Sequence, residues 1–285
     1  MKWDTVALVG VGLIGASIGM AVKARGLARR VIGVGRRRAR LQIAIDGGAI
    51  DQAETDLAAG VREAELVLVC TPVERIPEFI RQAAQHVPPG AILSDAGSVK
   101  GKICEELADE SLAPAVFIGG HPMAGKAKSG AEYGDADLFK GRPVVLTPWE
   151  EAPAETVQRL QTFWESLGSR VMVLSPQEHD RAVASISHLP HLAAAALAAA
   201  TPAEHLPLAS SGWSGATRIA GGDVEMWRQI LLANPENVLE ALGRLSSLLE
   251  RWRLALEQED SEAIASLLRE GKELRDRFAD EPGDA

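Results

Sequence analysis

The sequence predicts an α/β N-terminal domain built on a doubly wound sheet, followed by an all-α C-terminal domain. Up to about Leu174, short apolar runs alternate with helical patterns, and after Pro176 Ala, Leu, Glu and Arg recur at helical spacing. Strands that are apolar throughout are typical of parallel sheets covered by helices on both faces. We therefore expect domains of residues 1–174 and 175–285. The predicted strands are Val6–Gly10, Val31–Val34, Leu66–Thr71, Ala91–Asp95, Val116–Gly119, Val144–Thr147 and Val171–Leu174.

Composition excludes several classes of protein. The chain has 285 residues and a net charge of −9, which does not favour binding to a nucleic-acid backbone. Its two cysteines, Cys70 and Cys104, have neither zinc-site nor disulfide spacing, and no carboxylate–histidine cluster suggests another metal. We expect no metal, a reducing compartment and a cytoplasmic protein.

The apolar run from Thr5 to Val22 could be a signal peptide or a membrane span. Four glycines interrupt it at spacings that suit a strand, a tight turn and a helix instead, and the preceding residues are not basic enough for a signal. We therefore expect no membrane association.

A GxGxxG motif lies between the first predicted strand and the following helix, and this context is that of a Rossmann-type dinucleotide site. Gly10 would allow the tight turn, Gly12 the approach of a pyrophosphate, and Gly15 close packing of the helix on the sheet. Leu13 and Ile14 complete the turn, where the helix N-terminus favours an anion. The alternative is a glycine-rich turn that binds nothing.

The end of the second predicted strand indicates which dinucleotide is bound. NAD sites usually carry an acidic residue there, whereas this chain has Gly35 followed by Arg36 and Arg37. Arginines can bind a 2′-phosphate, so NADP is favoured, with NAD possible if these residues form only a solvated helix start. Further expected cofactor contacts are Thr71, Pro72 and Ser98.

Three further motifs follow strands or begin helices: DAGSVK at 95–100, GGHPMAG at 119–125 and SHLPH at 187–191. Together with GVGLIGAS at 10–17, and with TRIA at 217–220 and MWR at 226–228, they resemble the prephenate and arogenate dehydrogenase family over nearly the whole chain. The resemblance implies NAD(P)-dependent oxidative decarboxylation of prephenate or arogenate in tyrosine biosynthesis.

The resemblance also implies residue roles. His121 would accept the proton of the substrate hydroxyl, for which a neutral imidazole is suited near pH 7. Ser98 would bind near that hydroxyl and the nicotinamide, unless it only caps the helix through 102–107. His188 and His191 would contact substrate or cofactor, the alternative being two core histidines.

In the second half, Arg218 resembles the family arginine that pairs with a substrate carboxylate, and Trp227 would support its pocket. The alternative is a surface arginine beside a core tryptophan. With His121 in the first half, the site would lie in the cleft between the domains.

One position departs from the family pattern. After GGHPMAG many relatives carry an acidic or small polar residue, whereas this chain has Lys126, Ala127 and Lys128. We expect Lys126 to add positive charge near the substrate, which suits the pyruvyl carboxylate of prephenate better than the ammonium of arogenate.

Two other functions remain open from the residues alone. A two-domain dehydrogenase of the β-hydroxyacid or pyrroline-carboxylate reductase type shares this organisation but lacks GGHPMAG and SHLPH. A non-enzymatic NADP-binding sensor on the same fold would not need His121.

The pattern from 236 to 259 predicts a long helix with a seam of nearly heptad spacing. This seam and the family resemblance indicate a homodimer through the helical half, and ordinary core packing is the alternative. We expect no appended regulatory domain after the last helical pattern. The seam residues are Val238, Leu242, Leu245, Leu249, Trp252 and Leu256.

Overall fold

A computed structural model describes residues 2–108, 110–126 and 128–279. Its first half contains an eight-stranded sheet in the order β3-β2-β1-β4-β5-β6-β7-β8. The strands are β1 (Trp3–Val9), β2 (Ala28–Val34), β3 (Gln52–Glu54), β4 (Leu66–Val69), β5 (Ile92–Asp95), β6 (Val116–Pro122), β7 (Pro143–Thr147) and β8 (Arg170–Val173).

Every neighbouring pair is parallel except β6 and β7, which are antiparallel. The expectation of a parallel sheet was wrong at this pair. Between Pro122 and Pro143 the described residues form a single 3-10 turn and no α-helix, so nothing carries the chain across the sheet as a parallel connection requires. The sequence also missed β3, whose three residues, Gln52–Glu54, lack an apolar run.

Helices cover both faces of the sheet. Val6 and Leu8 pack into one hydrophobic cluster, and the intervening Ala7 and Val9 pack into the other. This alternation confirms that the central strands are buried on both faces, which explains their uniformly apolar sequence. The helices are α1 (Leu13–Ala24), α2 (Arg38–Asp46), α3 (Leu57–Val61), α4 (Ile76–Ala84), α5 (Gly101–Leu107) and α6 (Ala154–Ser166).

After β8 the described residues are helical or irregular, which confirms the predicted all-α second half. The chain forms two compact units, one ending at Asn234 and one beginning at Pro235. The predicted domain boundary at 174/175 stays a prediction. The helices are α7 (Pro176–Val183), α8 (Leu189–Ala200), α9 (Ser211–Thr217), α10 (Val224–Ala233), α11 (Pro235–Glu257) and α12 (Ser261–Ala279).

A π-helical turn, Ala184–His188, joins α7 to α8. Pro190 lies in the first turn of α8. Because proline has no backbone N–H, it cannot donate the usual helical hydrogen bond to the carbonyl oxygen of residue 186. Within the described residues, the helical run 176–200 is long and apolar enough to cross a membrane. One such helix is weak evidence for a span, and this one contributes four buried polar side chains to the site described next.

Candidate active site

The GxGxxG turn has the shape of a dinucleotide cradle. Gly10 has φ +92°, and a Cβ there would lie 2.8 Å from the carbonyl oxygen of Cys70. A Cβ on Gly15 would lie 2.3 Å from the carbonyl oxygen of Gly10, so both positions exclude any side chain. A Cβ on Gly12 would meet no atom within 4 Å. This open side of the turn is where a ligand can approach the backbone.

The N-terminus of α1 faces this turn and supports anion binding. Gly12 is the N-cap and offers no side-chain cap, and the first turn of α1 contains no acidic residue. Beside the turn, the buried Oγ1 of Thr71 has no hydrogen-bond partner among the described residues. Free helix N–H groups and an unpaired hydroxyl fit the phosphates of a dinucleotide. Leu13 and Ile14 are partly buried here, and Pro72 is exposed.

At the end of β2, the backbone N–H of Gly35 donates to the carbonyl of Glu54 at 3.1 Å. The following side chains, Arg36 and Arg37, are exposed and form no ion pair with any described residue. Their positive charges are therefore available to a ligand.

The DAGSVK loop is fixed by a buried ion pair between Asp95, the last residue of β5, and Lys100, both side chains being fully buried. The Asp95 carboxylate also accepts the backbone N–H groups of Gly97 (2.8 Å) and Gly120 (3.0 Å). Three groups thus bind the Asp95 carboxylate, two of them within the loop and one on β6, and the half-buried Ser98 lies between Gly97 and Lys100 in this fixed loop.

His121 lies within β6, opposite Val145 of β7, rather than just past the strand end as the sequence suggested. It is 8% exposed, and its Nδ1 lies 2.8 Å from Nε2 of His179 on α7. His179 Nδ1 in turn lies 2.7 Å from Oδ1 of Asp180. These three side chains form a continuous hydrogen-bonded chain that begins at the expected proton acceptor.

Asp180 also accepts the backbone N–H groups of Lys100 and Gly101, each at 2.8 Å. A side chain from the second half of the sequence therefore caps α5, whose N-cap residue is Lys100. Capping this helix was the alternative role for Ser98. The N-cap position is instead taken by Lys100, and Ser98 makes no side-chain cap there.

His188 and His191 are brought to the same region by the π-helical turn and α8, and both are buried. His191 stacks on Trp227 with ring centroids 3.6 Å apart, and a Cβ on Gly222 would clash with both rings. Asn234 Nδ2 lies 3.4 Å from His188 Nδ1. Nε2 of His188 and Nδ1 of His191 have no hydrogen-bond partner of ordinary geometry among the described residues, which indicates a place for a polar ligand.

The electrostatic environment keeps the imidazoles neutral. Burial, followed by coulombic interactions with His179, Lys100 and His188, lowers the pKa of His121 well below its ordinary value. Burial lowers the pKa of His188 to about 4. At neutral pH both rings can therefore accept as well as donate a hydrogen bond.

Arg218 and Lys126 have different surroundings. Arg218 begins a 3-10 turn that packs against α8, and its exposed side chain makes no ion pair with described residues. Lys126 instead pairs with Asp135 at 2.9 Å and lines a polar cavity of about 510 Å³. None of the site histidines lines that cavity. The positive charge of Lys126 is partly neutralised by its ion pair with Asp135.

Sequence reasoning missed His179, Asp180, Lys100 and Asn234. Lys100 lies inside a motif that the sequence singled out, so its spacing of five residues from Asp95 was an available signal. His179 and Asp180 read as polar residues of an ordinary helix start, and only the packing of α7 on the DAGSVK loop gives them partners.

Comparison with known proteins identifies the family. A family model described as the nucleotide-binding domain of prephenate dehydrogenase matches residues 18–173, and one described as its dimerization domain matches residues 175–270. Prephenate dehydrogenase of Bacillus subtilis is 34% identical over 281 residues, which cover 96% of this chain and 76% of that protein.

Solved structures agree. Prephenate dehydrogenase from Aquifex aeolicus, in complex with hydroxyphenyl propionate and NAD+, superimposes with a TM-score of 0.89 at 30% identity, covering 98% of this chain and 99% of that one. Synechocystis arogenate dehydrogenase has a TM-score of 0.82 at 32% identity, covering 96% and 99%. These matches favour the family resemblance over the other dehydrogenase types and over a non-enzymatic sensor. The chain therefore belongs to the prephenate dehydrogenase family.

Proposed function

We propose that this protein is a dehydrogenase that oxidatively decarboxylates prephenate, or arogenate, with a nicotinamide dinucleotide as oxidant. The observation that carries the proposal is a buried, neutral His121 that lies at the carboxyl end of β6 beside the DAGSVK loop. Ligands of doubly wound sheets bind at this edge, and the GxGxxG turn opens there too. The names of the relatives supply the substrate class.

In this reaction His121 Nε2 accepts the proton of the substrate ring hydroxyl. The carbon bearing that hydroxyl loses a hydride and the ring carboxylate leaves as carbon dioxide, which makes the ring aromatic. The bound oxidised nicotinamide would supply the hydride acceptor. The proton held by His121 is then the one that the phenolate product needs. General base catalysis by a positioned imidazole contributes about 10²–10⁴-fold.

The other site residues bind and orient the substrate in this proposal. Arg218 pairs with a carboxylate through its two-pronged guanidinium, and Trp227 holds the His191 ring by stacking. His188 and His191 hydrogen-bond the substrate, His191 through its Nδ1, which has no partner among the described residues, and Ser98 orients the substrate hydroxyl. Lys126 favours prephenate over arogenate by long-range charge only, since Asp135 is its direct partner.

For the cofactor we propose NADP in preference to NAD. Arg36 and Arg37 extend from the end of β2 without ion-pair partners among the described residues, and Gly35 stands where a carboxylate would repel a 2′-phosphate. The glycine turn, Thr71 and Pro72 hold the parts common to both dinucleotides.

We further propose a cytoplasmic homodimer, assembled through the helical half. The match of residues 175–270 to a dimerization domain supports self-association, and the net charge of −9 argues against nucleic acid as a partner.

The test is to mix purified protein with prephenate or arogenate and NADP+ or NAD+, and to follow the absorbance of the reduced cofactor. We expect turnover with prephenate and NADP+. His121→Asn is the matched control, because it keeps a hydrogen-bonding amide but removes the proton acceptor. Its kcat should fall by about 10²–10⁴-fold with cofactor Kd nearly unchanged. Absence of turnover with all four pairs would reject the proposal.

A further inference from the structure

We propose that His179 and Asp180 are positioning residues that hold His121 as the tautomer protonated at Nδ1, so that its Nε2 lone pair is free for the substrate. The proposal deepens the function above and rests on it for the role of His121. Neither residue needs to touch the substrate, because both act through the ring of His121.

The direction of the hydrogen bonds follows from Asp180. Its carboxylate already accepts two backbone N–H groups, and an ionised carboxylate can only accept. His179 Nδ1, at 2.7 Å from Oδ1, must therefore carry the proton of that bond. We take the fully buried His179 ring as neutral, which leaves its Nε2 bare, so that His121 Nδ1 at 2.8 Å donates to it. The remaining nitrogen of His121, Nε2, is left unprotonated.

Each member of the hydrogen-bonded chain is buried and is held by further contacts. His179 is fully buried, and Asp180 is tied to the backbone of Lys100 and Gly101. Asn234 Nδ2 donates to the backbone carbonyl oxygen of Asp180 at 2.8 Å, which is a further contact on α7. The loop that carries Ser98 thus also fixes the orientation of the base, so the two are aligned by the same contacts.

The charged and titratable groups around His121 are His179 and Asp180 on α7, His188 on the π-helical turn, and Lys100 with its partner Asp95. The ammonium of Lys100 is balanced by Asp95, which leaves Asp180 as the anion of the chain. When His121 takes the substrate proton, its cation is connected to that anion through a single neutral ring. Such a third group, orienting and stabilising a catalytic imidazole, is the logic of hydrolase triads.

Two substitutions of His179 separate positioning from mere packing. In His179→Gln the amide oxygen can accept from His121 Nδ1 while the amide nitrogen donates to Asp180, so the tautomer is preserved. In His179→Leu no acceptor faces Nδ1, and His121 is free to carry its proton on Nε2. We expect kcat to fall by about 10²-fold in the leucine variant and by about tenfold or less in the glutamine variant, with cofactor Kd unchanged in both. Equal losses in the two variants would overturn the proposal.

A second measurement needs neither substrate nor activity. Two-bond ¹H–¹⁵N correlation spectra of the wild-type protein, labelled at its histidine rings and assigned with His121→Asn, report which nitrogen of His121 is protonated. We expect Nδ1 in the wild type. A wild-type His121 protonated at Nε2 would overturn the proposal whether or not the leucine variant folds. Because the spectra are independent of turnover, they also separate failure of this inference from failure of the proposed function.

Discussion

Among single residues, His121 depends most on its surroundings, since the proton acceptor that we propose it to be must be neutral at the working pH. Burial and three neighbouring cationic or polar groups lower its pKa, and His179 fixes its orientation. The proposed chemistry therefore depends on residues that no single sequence motif contains. His121 and His179 are 58 positions apart in the chain.

The lowered pKa predicts the pH dependence of activity. In the proposed mechanism the neutral imidazole is the active form, so activity should be complete above the folded-state pKa and be lost as pH falls through it. Because that pKa lies well below the ordinary 6.5, kcat/KM should stay level as the pH is lowered from neutral past 6.5, and fall only in more acidic solution. A pH–rate profile measures this, and an acidic limb centred at or above 6.5 would contradict it.

Arg36 allows a residue-scale test of cofactor choice. Arg36→Ala should raise the Kd of NADP+ by about tenfold or more while changing that of NAD+ little, because only the former offers a 2′-phosphate to the guanidinium. Arg29→Ala is the matched control, since Arg29 pairs with Asp4 at the far end of the sheet. Fluorescence titration of both cofactors gives the constants. Equal weakening of the two would make Arg36 a solvated surface residue.

At the scale of elements, the segments that form the site are joined by buried polar contacts rather than by apolar packing alone. Asp95 bonds the DAGSVK loop and β6, and Asp180 bonds that loop to α7. Buried charges are costly unless they are paired, so these contacts also specify which arrangement of strands and helices is stable. The segment between β6 and β7, residues 123–142, also bears on this arrangement, because its described residues form no α-helix that could serve as a crossover, and β7 runs antiparallel to β6.

The Asp95–Lys100 pair therefore predicts a large stability effect. Lys100→Met removes the ammonium and leaves the Asp95 carboxylate buried with two backbone N–H bonds, so the free energy of unfolding should fall by about 3–5 kcal/mol. Lys102→Met is the control, because Lys102 is an exposed residue in the first turn of α5, two positions after Lys100. Urea unfolding of both variants measures the difference. A Lys100→Met protein as stable as the control would show that the pair contributes nothing.

For the whole molecule, the helical half carries apolar side chains that the single chain leaves exposed. On α11, Leu249 and Leu256 are 58% and 60% exposed, and they are seven residues apart on one face. Val238, from the same predicted seam, is buried within the chain. The seam is therefore divided: Val238 is buried within the chain, whereas Leu249 and Leu256 are exposed and could contact a second copy.

This division predicts the result of disrupting the dimer. Leu249→Glu with Leu256→Glu should convert a dimer into a 30.3 kDa monomer, because two charges would lie in a desolvated contact. The folded chain should survive, since both positions are exposed in it. Met172→Glu, on the half-exposed edge strand β8, is the control. Sedimentation velocity measures the masses, and a wild-type monomer at micromolar concentration would contradict the homodimer.

The sequence by itself determined the features that depend on local pattern. Continuous apolar runs identified the strands buried in the sheet and also the edge strand β8, whose Met172 and Val173 are half exposed rather than buried as expected. Glycine spacing identified the turn before α1, and helical periodicity identified the second half of the chain. Each of these follows from neighbouring residues, because a strand buried on both faces or a turn at positive φ restricts the residues within it.

Only the tertiary structure decided the direction of β7, the pairing of β3 and the partners of the site residues. A short polar strand such as Gln52–Glu54 has no pattern of its own and forms because β2 offers an edge. His179 and Asp180 likewise gain their significance from packing against His121 and the start of α5. The physical reason is that a buried hydrogen bond joins groups distant in the chain, and its directional requirement is visible only once both groups are in place.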